Sequence, residues 1–201
     1  MEILKHRLVD GGVEHLVCPK NKRKLESPDL IVVHYTAGVS ARSSAEYLAR
    51  DGVDASAHVV IGRDGKVFQL VPFDTEAWHA GRSSYAGRSG LNRCSIGIEL
   101  DNLGRLEWRG GRFVAECGVE VPPREVYVDE TGAAPTFWHR YPDIQRKRLL
   151  ELCRLLCRYY PVRAIVGHSD ITPRKQDPGP ALRLGEAVNE KGFEAIKSII
   201  V

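Results

Sequence analysis

Three short apolar runs, each closing on a polar side chain that sheet packing does not require, constrain this chain most. Leu30-Ile31-Val32-Val33 runs into His34, Ile96-Gly97-Ile98 into Glu99, and Val162 to Val166 into Gly167-His168. Short, continuous β-branched runs read as strands buried on both faces, the kind found in sheets covered by helices. Ligands gather at the carboxyl ends of such strands. His34, Glu99 and His168 are therefore candidates for one cluster. Within Ser95 to Leu100, alternation puts Ile96, Ile98 and Leu100 on one face and Ser95, Gly97 and Glu99 on the other.

The segments between these runs predict the remaining architecture. Residues 41–50 read as a short helix after Ser40, stopped at Gly52. Residues 57–71 read as a hairpin, with Val59-Val60-Ile61 and Val67 to Val71 flanking Arg63-Asp64-Gly65-Lys66. Asp-Gly favours a tight turn because glycine accepts positive φ. Over residues 143–160, Ile144, Leu149, Leu152, Cys153, Leu156 and Tyr159 or Tyr160 recur at helical spacing, and Pro161 ends the helix. Residues 186–199 predict a final helix. Residues 1–30 are polar and broken by Gly11-Gly12, Pro19 and Pro28, with the basic run Lys20 to Lys24 reading as a solvated loop, and residues 72–94 read as a long structured loop. Residues 102–141, with Gly110-Gly111, Pro122-Pro123 and Gly132, read as an inserted surface element with short strands near 112–115 and 125–128. The whole predicts a single α/β domain over residues 1–201, a mixed central β-sheet flanked by helices.

Composition narrows the function. The 29 Lys and Arg against 26 Asp and Glu leave a net charge of +3, too mild for the concentrated basic face of a nucleic-acid binder. No apolar run approaches the ~20 residues that cross a bilayer, so no membrane partner is expected. Met1 to Arg7 opens no apolar leader, which predicts a cytoplasmic protein. Five cysteines, odd in number and irregularly spaced, predict reduced, partly buried thiols.

The loop from Gly167 to Pro180 sharpens the chemistry. Pro173, Pro178 and Pro180 stiffen it around Asp170, Lys175 and Asp177. Where this chain is extended, Lys175 and Asp177 point to the same side. Two imidazoles and a carboxylate form a zinc-ligand set that leaves a fourth position for water, whose pKa can fall to about 7. Glu99 could take the proton of that water, and Lys175 could steady an oxyanion.

Five blocks, in order, carry a resemblance. They are Ile31-Val32-Val33-His34-Tyr35-Thr36-Ala37-Gly38, Ser56-Ala57-His58-Val59-Val60-Ile61-Gly62-Arg63-Asp64-Gly65, and Ala77-Trp78-His79-Ala80-Gly81. Asn92 with Ser95-Ile96-Gly97-Ile98-Glu99-Leu100 follows, and then Gly167-His168-Ser169-Asp170-Ile171 with Lys175-Gln176-Asp177-Pro178-Gly179-Pro180. Over residues 31–180 the chain resembles the type-2, AmpD-like zinc N-acetylmuramoyl-L-alanine amidases, whose superfamily includes T7-type phage lysozymes and peptidoglycan recognition proteins. The resemblance implies one zinc ion per chain on His34, His168 and Asp177, with Glu99 as acid/base and Lys175 as oxyanion stabiliser. It implies that His58, Trp78, His79 and Asn92 line the substrate cleft. The phage-lysozyme branch has a tyrosine where this chain has Ala57, so the base role falls to Glu99 or to the metal hydroxide. Asp170 reads as a loop-orienting carboxylate and His139 as a non-ligand.

The implied reaction is hydrolysis of the amide between N-acetylmuramic acid and L-alanine in peptidoglycan or muropeptides. Cell-wall recycling, a phage endolysin, and a delivered toxin with an immunity protein as partner all fit. Two other classes stay in view. A binding module without catalysis would lack a complete ligand set, and a metallophosphoesterase would hold two metals among more carboxylates. The insertion could serve as a cleft wall, a lid or an oligomer contact.

Overall fold

The computed structural model describes residues 1–9 and 12–184. In chain order the strands are β1 (Glu2–Leu4), β2 (Arg7–Val9), β3 (Val13–His15), β4 (Leu30–Tyr35), β5 (Val59–Ile61), β6 (Val67–Gln69), β7 (Ser84–Tyr85), β8 (Arg88–Ser89), β9 (Ser95–Leu100), β10 (Arg105–Arg109), β11 (Arg112–Ala115), β12 (Glu120–Val121), β13 (Val126–Asp129), β14 (Thr136–His139) and β15 (Ala164–Gly167). The α-helices are α1 (Ala41–Ala49), α2 (Asp143–Tyr159) and α3 (His168–Ile171).

Six strands form the central sheet in the order β15-β4-β9-β5-β6-β3. Every neighbouring pair is parallel except the β5–β6 hairpin. Helix α2 covers one face. Leu149, Leu152, Cys153 and Leu156 pack there against Ile31, Val33, Ile96, Ile98 and Leu100. On the other face, Ala41, Ala45 and Ala49 of α1 bury Val60 and Phe68, while Leu30, Val32 and Val166 pack with Leu91 and Ile171. Ser40 caps α1 by accepting the Ser43 N–H, satisfying a donor that the first turn leaves open. No helix among the described residues is long and apolar enough to cross a membrane.

Strand parity builds the site. Leu30 pairs with Ser95, Val32 with Gly97 and His34 with Glu99, while Gly167 pairs with Val33. His34, Glu99 and His168 thus come to the carboxyl end of three adjacent parallel strands on one face. The chain leaves β15 directly into α3, so His168 opens a single helical turn that sequence reading treats as loop.

The inserted region is more ordered than its composition suggests. It forms a five-stranded antiparallel sheet, β12-β11-β10-β14-β13, with its own small core of Leu106, Ala115, Val121 and Val126. Gly110 and Gly111 both adopt positive φ in the two-residue β10–β11 turn, which a side chain would strain. His139 locks this sheet to the main body. Its Nδ1 accepts the Leu103 N–H, its carbonyl accepts from Asn102 Nδ2, and Arg63 donates to Glu125 and to the Arg140 carbonyl alongside.

Other expectations need correction. Residues 1–30, for which the sequence announces no strand, hold three among the described residues: β1 and β2 pair, and β3 completes the sheet edge beside β6. Residues 72–94 hold the β7–β8 ribbon and a 3-10 turn at Leu91–Arg93. Ile144 is half-exposed, and Gln145 is the buried residue of that turn, donating to the carbonyls of Ile61 and Asp101. All five cysteines are free, and Cys117 is exposed rather than partly buried. The helix expected at 186–199 lies outside the described residues.

Candidate metal centre and active site

His34, at the end of β4, and His168, at the start of α3, bring their Nδ1 atoms to 3.0 Å from each other. Asp177 Oδ2 lies 3.0 Å from both. The three side chains are buried, at 2%, 6% and 7% exposure. Asp177 is carried there by a loop folded back on α3. Its carbonyl accepts the Ser169 N–H at 2.9 Å, Tyr141 donates its hydroxyl to the Pro178 carbonyl at 2.7 Å, and Trp138 of β14 packs over Gly179. Asp170 instead accepts the Gly167 N–H at 2.7 Å, which fixes the entry to α3.

The geometry fits a tetrahedral zinc ion. Bonds of about 2.0–2.1 Å at tetrahedral angles separate the donor atoms by roughly 3.3 Å, close to the spacing of these three atoms. Two imidazole nitrogens and one carboxylate oxygen are also the donors such an ion prefers, and they leave a fourth position open. Burial drives Asp177 toward protonation, but the His168 and His34 rings, each 3.0 Å from its Oδ2, outweigh it and hold the carboxyl below its usual range. Burial also lowers the pKa of His34, opposed by its bond to Asp177, so the neutral, ligating form is favoured.

Glu99 sits beside this triad. Its Oε2 is buried with no hydrogen-bond partner. Burial first, and then the Asp177 charge, raise its pKa well above the carboxylate norm, while Lys175 opposes them. Glu99 opens onto a groove of about 320 Å³ lined by Thr36, Val39, Ser43 and Tyr47. Lys175 is exposed in a second groove of about 420 Å³, where Trp138 of the inserted sheet forms part of the wall. Its charge is felt at both His34 and Glu99.

The four expected cleft residues divide. His58 is fully buried, with the Gly97 N–H on its Nδ1 and the Thr75 carbonyl at its Nε2, so the expectation of a substrate contact is corrected. His79 is likewise buried, its ring engaged by His34 and Ser95, and offers nothing to a ligand directly. The Asn92 Oδ1 is committed to the N–H groups of His79 and Ala80, which shapes the loop instead. Trp78 is half-buried, its main chain paired with Ser56. Sequence reading missed Ser95 as a partner of His79. An isolated glycine inside a strand signals close approach, and a Cβ on Gly97 would lie 2.3 Å from His79 Cγ.

Residues 24–180 match the family pattern of the N-acetylmuramoyl-L-alanine amidases. The chain belongs to this family. Its amidase domain is 32% identical over 176 residues to the 1,6-anhydro-N-acetylmuramyl-L-alanine amidase AmpD of Escherichia coli K12, covering 78% of each chain. A crystal structure of an AmpD derivative superposes with a TM-score of 0.64 at 26% identity, covering both chains fully. The amidase AmiD from E. coli, solved with anhydro-N-acetylmuramic acid-L-Ala-D-gamma-Glu-L-Lys as substrate, superposes with a TM-score of 0.58 at 29% identity. That match covers 77% of this amidase and 53% of AmiD. The enzyme is thus an N-acetylmuramoyl-L-alanine amidase, and the α/β fold is that of AmpD.

Proposed function

We propose that this amidase cleaves the amide between anhydro-N-acetylmuramic acid and L-alanine in soluble muropeptides, with one zinc ion held by His34, His168 and Asp177. The observation that carries the reading is the convergence of three donor atoms at 3.0 Å beside the unpartnered Oε2 of Glu99. The similarity to AmpD, named for the anhydro substrate, supports the choice of muropeptide.

When bound, zinc supplies a Lewis acid for the scissile carbonyl and activates water at neutral pH. Glu99 Oε2 takes the proton of the attacking water and returns it to the nitrogen of the leaving L-alanine. Its raised pKa suits this two-way exchange, since a general acid/base works best with a pKa near the working pH. Lys175 Nζ donates to the oxyanion of the tetrahedral intermediate, and the exposed side chain can follow the substrate into place. Trp78 is proposed to flank the sugar or the first stem residue.

The deciding experiment compares soluble anhydro-muropeptides with intact sacculi. Release of stem peptide from the soluble fragments, with zinc required, is expected. Release from sacculi at the same rate would overturn the choice of substrate, and no release from either would overturn the activity.

A further inference from the structure

A chain of hydrogen bonds runs away from the proposed metal position into the core. Ser95 Oγ lies 2.7 Å from the Leu91 carbonyl and donates its one proton there. The same oxygen lies 3.2 Å from His79 Nε2. With the hydroxyl proton already committed, Nε2 carries the hydrogen and donates to Ser95. A neutral imidazole has one N–H and one lone pair, so His79 Nδ1 is an acceptor. His34 Nε2 lies 3.1 Å from that atom, so His34 donates through Nε2. Its Nδ1 is left as a lone pair facing His168 and Asp177.

We propose that Ser95 and His79 are positioning residues that fix the tautomer of His34, so that its Nδ1 lone pair is presented to the metal before any ion binds. The inference rests on the zinc reading above but concerns the metal-free protein as well. Among the described residues, the one competing acceptor for a His34 proton is Asp177 Oδ2, 3.0 Å from His34 Nδ1, and the proton of His168 Nδ1, at the same distance from that oxygen, serves it instead. His58 supports the strand behind the His79 ring, with Nδ1 accepting the Gly97 N–H and Nε2 donating to the Thr75 carbonyl. Asn92 holds the main chain of His79. Gly97 leaves the ring its space. A ligating histidine usually anchors its second nitrogen on a carboxylate, a carbonyl or water. Here the anchor is a second histidine, whose own tautomer is set by a hydroxyl and ultimately by the acceptor-only carbonyl of Leu91. A reversed relay would leave two lone pairs facing each other at the Ser95–His79 contact and put a proton on His34 Nδ1, where the metal belongs.

The test is made on the full chain, metal-free and zinc-loaded. Long-range ¹⁵N–¹H spectra of the metal-free protein should show His34 and His79 both protonated at Nε2. Ser95→Ala should populate the Nδ1–H form of His34. Competition with a zinc chelator should show affinity falling roughly 10-fold in Ser95→Ala and up to about 100-fold in His79→Leu, the range seen when such outer partners are lost. His79→Asn, whose amide oxygen can still accept from His34 Nε2, should recover most of that loss. A metal-free wild type with His34 protonated at Nδ1 would overturn the proposal. So would a Ser95→Ala variant with unchanged tautomers and unchanged zinc affinity. A wild type that binds no zinc would sink the metal reading instead, and the tautomer spectrum would still decide the relay.

Discussion

Gly97→Ala tests how tightly the core behind the site is built. Gly97 lies mid-strand in β9, and its backbone is not in the left-handed region, so alanine brings no conformational penalty. The cost is steric. An added Cβ would stand 2.3, 2.6 and 2.7 Å from Cγ, Cδ2 and Nδ1 of His79, against an ordinary contact that begins at 3.4 Å. The ring must withdraw by about 1 Å, or the strand must. The strand is held by Val32 on one side and by His58 on the other. The ring is buried, and withdrawal stretches its 3.1 Å contact with His34 beyond hydrogen-bond range. Overpacking of this kind costs about 1–3 kcal/mol, and a buried hydrogen bond lost adds about 1 kcal/mol. At roughly 2–4 °C per kcal/mol for a chain of this size, the melting temperature should fall by roughly 5–15 °C. Thermal unfolding by circular dichroism measures it. Gly132→Ala is the control, since its nearest neighbour would be 3.7 Å away at ordinary φ, and it should melt like the wild type. A Gly97→Ala protein within 1 °C of the wild type by that assay, on the order of experimental error for a cooperative transition, would refute the packing argument.

Glu99→Gln should keep zinc and fold but lose about 10²-fold or more in turnover of an anhydro-muropeptide, because the amide cannot exchange the proton. Wild-type turnover in that variant would remove the acid/base role. Zinc at about 100 times its Kd should stabilise the wild type by about 2.7 kcal/mol, and His168→Ala should show no such shift in a thermal melt. A full shift in the variant would exclude His168 as a ligand. Stability should also fall between pH 6.5 and 4 because of His58. Burial lowers its pKa in the folded protein to about 4, so the unfolded chain binds the proton first as pH drops. The loss accumulates to about 3 kcal/mol across that window and levels off below it. His139, lowered to about 4 chiefly by burial, acts with the same sign. Denaturant titrations of wild type and His58→Gln across this range should converge toward acid pH, and parallel curves would contradict the assignment.

Several features were legible because they rest on local alternation. Continuous apolar runs announced buried strands, and their polar ends announced His34, Glu99 and His168 as neighbours once the strands were taken as parallel. The β5–β6 hairpin and α2 followed from turn chemistry and helical spacing. The inserted sheet was less legible. Its strands are two to five residues long and mostly exposed on one side, so no segment carries a strong periodic signal. Its Gly110-Gly111 pair was the one clear sign.

What the amino-acid order determines alone is which residue types stand at which strand ends, and the loop chemistry that surrounds Asp177. Whether a histidine faces the cleft or backs it is a matter of distance along no single element. His58 and His79 flank a strand whose contacts with them lie 39 and 16 residues away along the chain, so only the assembled sheet decides that they are buried props rather than ligand contacts. The approach of Asp177 to His34 spans 143 positions and depends on Trp138 and Tyr141 holding its loop down. Such contacts arise from packing between distant segments, which local propensity does not encode.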